Sequence, residues 1–261
     1  MNAQTILKYL NYKLTGFTEH DLHSPFLYNF YMELIKNKHP FGDFEELKTI
    51  RKSLEQNNSV LEITDLGAGS KKLNTNKRPI KHIAKYGIAP NKQAEFLYRL
   101  INKFKPNNII ELGTSIGLTT LYLSKAAQKS TIYTIEGCPN IFKFSKQLFK
   151  DQAIKNVNGI NGNFNEEFPK LISKIPSLDF LYIDGNHAYE PTMNYFKMAL
   201  SKKNSSSIFV FDDIYWSEGM KKAWEEICAH PEVTLSLDLF YFGIVFFREE
   251  HKNKEHFILK F

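Results

Sequence analysis

Two short segments of this 261-residue chain concentrate its chemistry: Asp184-Gly185-Asn186-His187, and the pair Asp212-Asp213. Each follows a short apolar run, Leu178 to Ile183 for the first and Ser207 to Phe211 for the second. If both runs are parallel strands, their carboxyl ends line one crevice of an open α/β sheet, and three carboxylates converge there. Converging carboxylates repel one another, and a hard divalent cation such as magnesium or calcium relieves that repulsion with oxygen ligands. The alternative is that Asp184 only supports a neighbouring ligand while Asp212 or Asp213 caps the helix that follows.

A second motif, Glu111-Leu112-Gly113-Thr114-Ser115-Ile116-Gly117, lies where an earlier strand turns into a helix. Glycines at such a turn let the backbone approach a ligand closely, and the free amides of a helix amino end favour polar or anionic groups. The spacing is not the G-x-G-x-x-G of nicotinamide binders. The next strand leads to Glu136, about the distance at which such folds place an acid for ribose hydroxyls. A tight turn with a surface glutamate is the plainer reading of the same residues. Asp65-Leu66-Gly67-Ala68-Gly69-Ser70 looks even more like a cofactor loop, but Lys71, Lys72, Lys77, Arg78 and Pro79 follow it instead of an apolar helix. It therefore reads as a turn or surface loop, with a substrate-contacting role as the alternative.

The elements that must position these groups change character near residue 105. Before it the pattern is helical: Ser24-Pro25 reads as a cap followed by proline at the first helical position, and further helices fit Phe44 to Leu54 and Lys92 to Phe104. A polar, basic loop spans Thr64 to Lys81. After residue 105, short apolar runs (108–112, 131–135, 157–160, 178–183 and 207–211) alternate with stretches of helical spacing such as Thr119 to Ala127 and Tyr189 to Leu200. Strands alternating with helices imply a parallel sheet covered on both faces. Leu235 to Leu239 and Tyr241 to Phe247 are joined by too little chain for a helix and should pair antiparallel. The expected architecture is an α/β fold with a doubly wound, mostly parallel seven-stranded sheet and a closing antiparallel hairpin. Residues 1–104 are expected to form an N-terminal helical cap with the basic loop, and 105–261 the ligand-binding domain.

Over roughly residues 105 to 250 this pattern resembles the class I S-adenosylmethionine-dependent methyltransferases. The resemblance implies that Glu111, Gly113, Thr114, Ser115 and Gly117 pass the methionine part of the cofactor and that Glu136 holds its ribose. It also implies that Asn163 and Phe164, after the third strand, contact the adenine, with Asp184 close to the cofactor. The acid cluster looks like that of the cation-dependent O-methyltransferases, where an acid after the fourth strand and an acid-amide pair after the fifth hold a metal. Asp184, Asp212 and Asp213 match those positions, with Asp213 in place of the amide. His187 stands where that family carries a catalytic lysine, and its ordinary pKa of about 6.5 suits it to accept a proton at neutral pH.

Composition bounds the reading without sharpening it. A net charge of +6 comes from scattered lysines and arginines, and a biased Lys, Asn and Ile usage accounts for it as readily as an anionic partner does. Two distant cysteines, Cys138 and Cys228, fit neither a disulfide framework nor zinc spacing, which points to a reducing compartment. No signal peptide or bilayer-spanning run is visible, so a cytoplasmic protein is expected. His20 and His23 lack further ligands, and Tyr215 and Trp216 are as suited to a core as to a pocket wall. The expected activity is methyl transfer to a small hydroxyl-bearing acceptor, with no membrane or nucleic acid as partner and a homodimer compatible with the sequence. The rival readings are an RNA or protein methyltransferase and a catalytically silent nucleotide-binding module.

Overall fold

The computed structural model describes residues 3–64, 76–250 and 253–261, so the glycine-rich stretch 65–70 lies outside the described residues. In chain order the elements are α1 (Ala3–Thr15), α2 (Pro25–Phe30), α3 (Asp43–Gln56), β1 (Val60–Glu62), β2 (Lys77–Pro79), α4 (Ile80–Tyr86) and α5 (Asn91–Phe104). They continue as β3 (Asn108–Leu112), α6 (Leu118–Ala126), β4 (Thr131–Glu136), α7 (Pro139–Asp151), β5 (Val157–Asn161), α8 (Phe164–Lys174), β6 (Phe180–Ile183) and α9 (Tyr189–Leu200). The last are β7 (Ile208–Asp212), α10 (Glu218–Ala229), β8 (Leu235–Asp238), β9 (Phe242–Phe246) and β10 (Glu255–Ile258). Punctuation follows local chemistry. Pro25 and Pro139 open their helices from the first turn, where no amide is needed, and α5 stops at Lys105 in a left-handed conformation with Pro106 beyond it. Ser24 precedes α2 in extended conformation, but its side chain makes no capping bond.

The chain forms two compact units, residues 38–171 and residues 1–37 with 172–261. In the first, β3, β4 and β5 pair in parallel, with Ile109 opposite Ile132 and Ile132 opposite Val157. An antiparallel ribbon of β1 and β2 belongs to the same unit. Its core gathers Phe44, Leu47, Tyr98, Leu118 and Tyr122, side chains from α3, α5 and α6.

In the second unit the strand order is β10-β8-β9-β7-β6. β6 and β7 are parallel, β9 runs antiparallel to both β7 and β8, and β10 is parallel to β8. Every residue of β6 and β7 is buried, which explains their continuous apolar character: a parallel strand covered on both faces has no side left for polar alternation. The expected closing hairpin is present as β8 and β9. Setting the β1–β2 ribbon aside, three strands in one unit and five in the other make eight among the described residues, one more than the seven expected. The added strand, β10, is half-buried at the sheet edge and so lacks an apolar run that a sequence reading could detect.

The chain ends meet in this second unit. Phe17 pairs with the β10 end through Phe17 N to Ile258 O at 2.7 Å and Lys260 N to Phe17 O at 3.0 Å. The buried Tyr12 hydroxyl donates to Leu259 O at 2.6 Å and accepts from Phe261 N at 2.7 Å. Tyr12→Phe leaves both backbone groups without that partner. It should lower the unfolding free energy by about 1–2 kcal/mol in urea titration, and an unchanged midpoint would show that water replaces the hydroxyl.

Candidate functional site

The loop after β3 is shaped from below by a buried carboxylate. Glu111 has no exposed surface, and its Oε2 accepts from Thr120 Oγ1 at 2.5 Å and Thr134 Oγ1 at 2.6 Å. Thr134 in turn meets Thr114 Oγ1 at 2.5 Å. The acid thus ties β3, β4, α6 and the loop to one another from inside. Above it the backbone turns through left-handed conformations at Gly113 (φ 110°), Ser115 (φ 48°) and Gly117 (φ 88°). A Cβ at Gly117 would stand 2.7 Å from the Phe149 ring, so both the dihedral and the space require glycine there.

Glu136, the last residue of β4, faces this loop. Its Oε2 accepts from Ser115 N at 2.9 Å and its Oε1 from Cys138 N at 2.8 Å, so the carboxylate is oriented by two backbone amides. Asn161 at the end of β5 donates to Glu136 O at 2.7 Å and Gly162 N donates to the same oxygen at 3.0 Å. Asn163 Oδ1 accepts from Asn165 N at 2.9 Å, which makes it the cap of α8, and Phe164 opens that helix. The predicted residues of this unit, Glu111, Gly113, Thr114, Ser115, Gly117, Glu136, Asn163 and Phe164, therefore all lie at or under the carboxyl ends of β3, β4 and β5. Sequence reasoning missed Asn161, whose amide links the ends of β4 and β5; an asparagine closing a strand was the available signal.

In the other unit, Asp184 follows β6 and Asp212 ends β7. Asp184 Oδ2 accepts from Tyr182 OH at 3.1 Å, and its Oδ1 lies 3.7 Å from His187 Nε2. The turn between them is left-handed at Asn186 (φ 53°), which brings His187 back towards Asp184. Asp212 is 7% exposed, and its Oδ1 is buried without a hydrogen-bond partner. Burial first, then the neighbouring Asp184 and Asp213, holds the Asp212 carboxyl well above the usual carboxylate range. Burial also raises Asp213, with His187 pulling the other way.

Asp213 takes a left-handed backbone (φ 53°), donates its amide to Tyr241 O at 2.8 Å and accepts from Trp216 N at 2.8 Å. Neither aspartate caps α10, because Ser217 does so by accepting from Met220 N at 3.1 Å. Among the described residues no group of three or more His, Cys, Asp or Glu side chains is gathered closely enough to hold a metal ion, and that includes His20 and His23. Trp216 is 60% exposed with its ring 6.2 Å from that of His187, whereas Tyr215 turns away to donate to Asp238 Oδ2 at 2.5 Å. Tyr182 and Asp238 are not visible as partners from spacing alone, since Tyr182 lies within the fully buried β6 and Asp238 ends the fully buried β8.

A carboxyl that ionises less readily in the folded state favours folding at low pH, and that contribution is lost as pH rises from the ordinary carboxylate range through the raised one. Asp212→Asn removes the buried charge with little change of shape. With chelator present, its melting temperature at pH 8 should exceed wild type by at least about 2 °C, the gap narrowing towards pH 4. Equal melting temperatures at pH 8 would mean that Asp212 ionises there without cost.

Residues 110–214 match a family described as a methyltransferase domain. An uncharacterized protein of Acanthamoeba polyphaga mimivirus is 28% identical over 147 residues, covering 51% of this chain and 65% of the relative. A catechol O-methyltransferase of Niastella koreensis is 26% identical over 130 residues, covering 49% of this chain and 58% of that enzyme. The chain thus spans somewhat under two thirds of these curated relatives. Among solved structures, the S-adenosylhomocysteine-bound methyltransferase of Podospora anserina superposes with a TM-score of 0.56 at 15% identity, covering 82% of this chain and 99% of that one. Among the described residues, no helix is long and apolar enough to cross a membrane. The chain has a mostly parallel, Rossmann-like fold shared with methyltransferases of known structure, and residues 110–214 match the methyltransferase domain family.

Proposed function

We propose that this protein transfers a methyl group from S-adenosylmethionine to the hydroxyl of a small acceptor. The observation that carries the reading is the assembled strand-end loop. Gly113, Ser115 and Gly117 are held left-handed beside a Glu136 carboxylate fixed by the Ser115 and Cys138 amides, as a methionine- and ribose-binding end requires. Glu111 shapes that loop from beneath, and Asn163 and Phe164 offer the adenine contact at the start of α8. The relatedness to a catechol O-methyltransferase supports oxygen as the acceptor atom. An RNA or protein acceptor finds no comparable support, and a homodimer and a cytoplasmic setting stay with the expectations drawn from the sequence.

Methyl transfer needs the nucleophile held in line with the methyl group and its proton removed. His187 is the base in this reading. It is partly exposed on the turn after β6, with Trp216 beside it and Asp184 near enough to stabilise the imidazolium that forms. Asp184, Asp212 and Asp213 are oxygen donors of the kind magnesium and calcium take, with Asp212 Oδ1 buried and unbonded, but they are not drawn together as metal ligands here, so a cation would have to gather them on binding. Such a cation, when bound, polarises an acceptor hydroxyl.

Saturating S-adenosylhomocysteine should raise the melting temperature by several degrees, since a ligand at about 100 times its Kd stabilises the folded state by about 2.7 kcal/mol. NAD should have no effect, and Glu136→Ala should abolish most of the shift; a full shift in that variant would place the cofactor elsewhere. With 3,4-dihydroxybenzoate as acceptor, His187→Ala should lower kcat by roughly 10²- to 10⁴-fold while cofactor affinity is kept. Wild-type turnover in that variant would remove His187 from the chemistry. Calorimetry with magnesium should show heat of binding to wild type and none to Asp212→Asn, and equal traces would remove the cation from the reading.

A further inference from the structure

The hairpin joining β8 to β9 turns on Phe240, a residue 4% exposed whose backbone is left-handed at φ 68°. A bulky aromatic residue adopts that conformation only where its surroundings impose it. Three rings besides its neighbour Tyr241 do so here. Tyr215 stacks on Phe240 with centroids 5.0 Å apart and planes 19° from parallel, Tyr9 meets it edge-on at 5.0 Å, and Tyr12 lies tilted at 5.3 Å. Tyr9 and Tyr12 both come from α1.

The backbone around the ring is equally constrained. Asp238, at the end of β8, accepts from Phe240 N through Oδ1 at 2.7 Å and from Tyr215 OH through Oδ2 at 2.5 Å, so one carboxylate fixes both members of the stack. Leu239 N donates to Phe242 O at 2.8 Å, and Tyr241 N donates to Leu239 O at 2.9 Å. The outcome of this turn is the direction of the Tyr241 carbonyl, which accepts the amide of Asp213 at 2.8 Å. Asp213 is itself left-handed and carries, through its own carbonyl, the amide of Trp216. Glycine would take the Phe240 backbone conformation without strain, but it would have no ring for α1 and Tyr215 to grip.

We propose that Phe240 is a positioning residue for the acceptor end of the site. The cage of Tyr9, Tyr12 and Tyr215 holds the hairpin tip in its strained turn, the turn aims the Tyr241 carbonyl at the Asp213 amide, and that bond fixes the loop from Asp213 to Trp216. Helix α1 thereby reaches the reaction without supplying a group to it. The effect on turnover rests on the methyl-transfer reading; the effect on Asp213 does not.

Hydrogen–deuterium exchange of the full chain, read at the Asp213 and Trp216 amides, tests the link. Phe240→Ala and Tyr9→Ala should each speed exchange at these amides by at least about tenfold, with the amides of β3 and β4 unchanged. Phe240→Tyr, which keeps the ring, should restore protection. In the same variants the Kd of S-adenosylhomocysteine should stay within about twofold of wild type. With 3,4-dihydroxybenzoate, Phe240→Ala should lower kcat by roughly 10- to 100-fold, a loss of orientation that Phe240→Tyr recovers. Unchanged exchange at Asp213 in the alanine variants, or faster exchange spread evenly over the chain, would overturn the proposal. Should Phe240→Ala fail to fold, Tyr9→Ala decides alone, because Tyr9 is only partly buried and contributes one wall of the cage. A wild-type protein that methylates no acceptor would defeat the methyl-transfer reading while leaving the exchange result to judge this one.

Discussion

The carboxyl of Asp212, at the end of a fully buried strand and beside a second acid, is the constraint around which residues 172–261 are arranged. Leaving water and standing near another acid both oppose its ionisation, and a carboxylate so placed is kept only where something is gained from it. Its neighbours manage the cost in different ways. Tyr182 and His187 attend to Asp184, while Asp213 is set by backbone bonds to Tyr241 and Trp216 and leaves its carboxylate partly exposed. Several of the left-handed residues of this unit, Asn186, Asp213 and Phe240, lie on the turns that bring these groups together. Backbone strain concentrated in this way marks a site that the surrounding structure over-determines.

Glu111 shows what a buried acid does when it braces a loop from beneath. It is as deeply buried as Asp212, yet two threonine hydroxyls satisfy one of its oxygens. Its carboxylate binds the loop to the strands beneath it, so the glycine turns above can hold their shape. Glu136, two backbone amides away from the same loop, keeps a partly exposed carboxylate. The division between the two acids, one inside and one at the rim, is what a strand end needs in order to be both rigid and open to a ligand.

The strand-helix alternation after residue 105 was legible because β6, β7 and their neighbours are buried on both faces and must be apolar throughout. Asn108–Leu112 and Tyr189–Leu200 fall where the pattern puts them. The strand-end position of Glu136, Asp184, Asp212 and Asp213 followed from the same logic, since a polar residue after an apolar run marks where the buried strand ends. Three features escaped. β10 is a half-buried edge strand of four residues with no alternation to read. Asn161, Tyr182 and Asp238 act through partners that are distant in sequence or face inward, which spacing along the chain does not encode. The Phe240 turn carries no glycine or asparagine, the usual signal of a left-handed position, because tertiary packing imposes the conformation that local preference would refuse.

Helix α1 illustrates why the amino-terminal third was harder to assign. Its apolar residues occupy two faces, not one: Leu7, Leu10 and Leu14 are 67%, 52% and 83% exposed, while Tyr9 and Tyr12 turn inward to the hairpin tip. A helix whose aliphatic side chains face outward and whose tyrosines face inward inverts the pattern by which amphipathic helices are recognised. The inversion has a physical logic. The surface α1 must meet is a turn with backbone carbonyls and amides left over from the chain ends, and a tyrosine offers both a ring for Phe240 and a hydroxyl for Leu259 and Phe261. Leucine could supply the first contact but not the second. Tyr12, which bonds the end of the chain, is therefore also one of the residues that grip the turn next to Asp213.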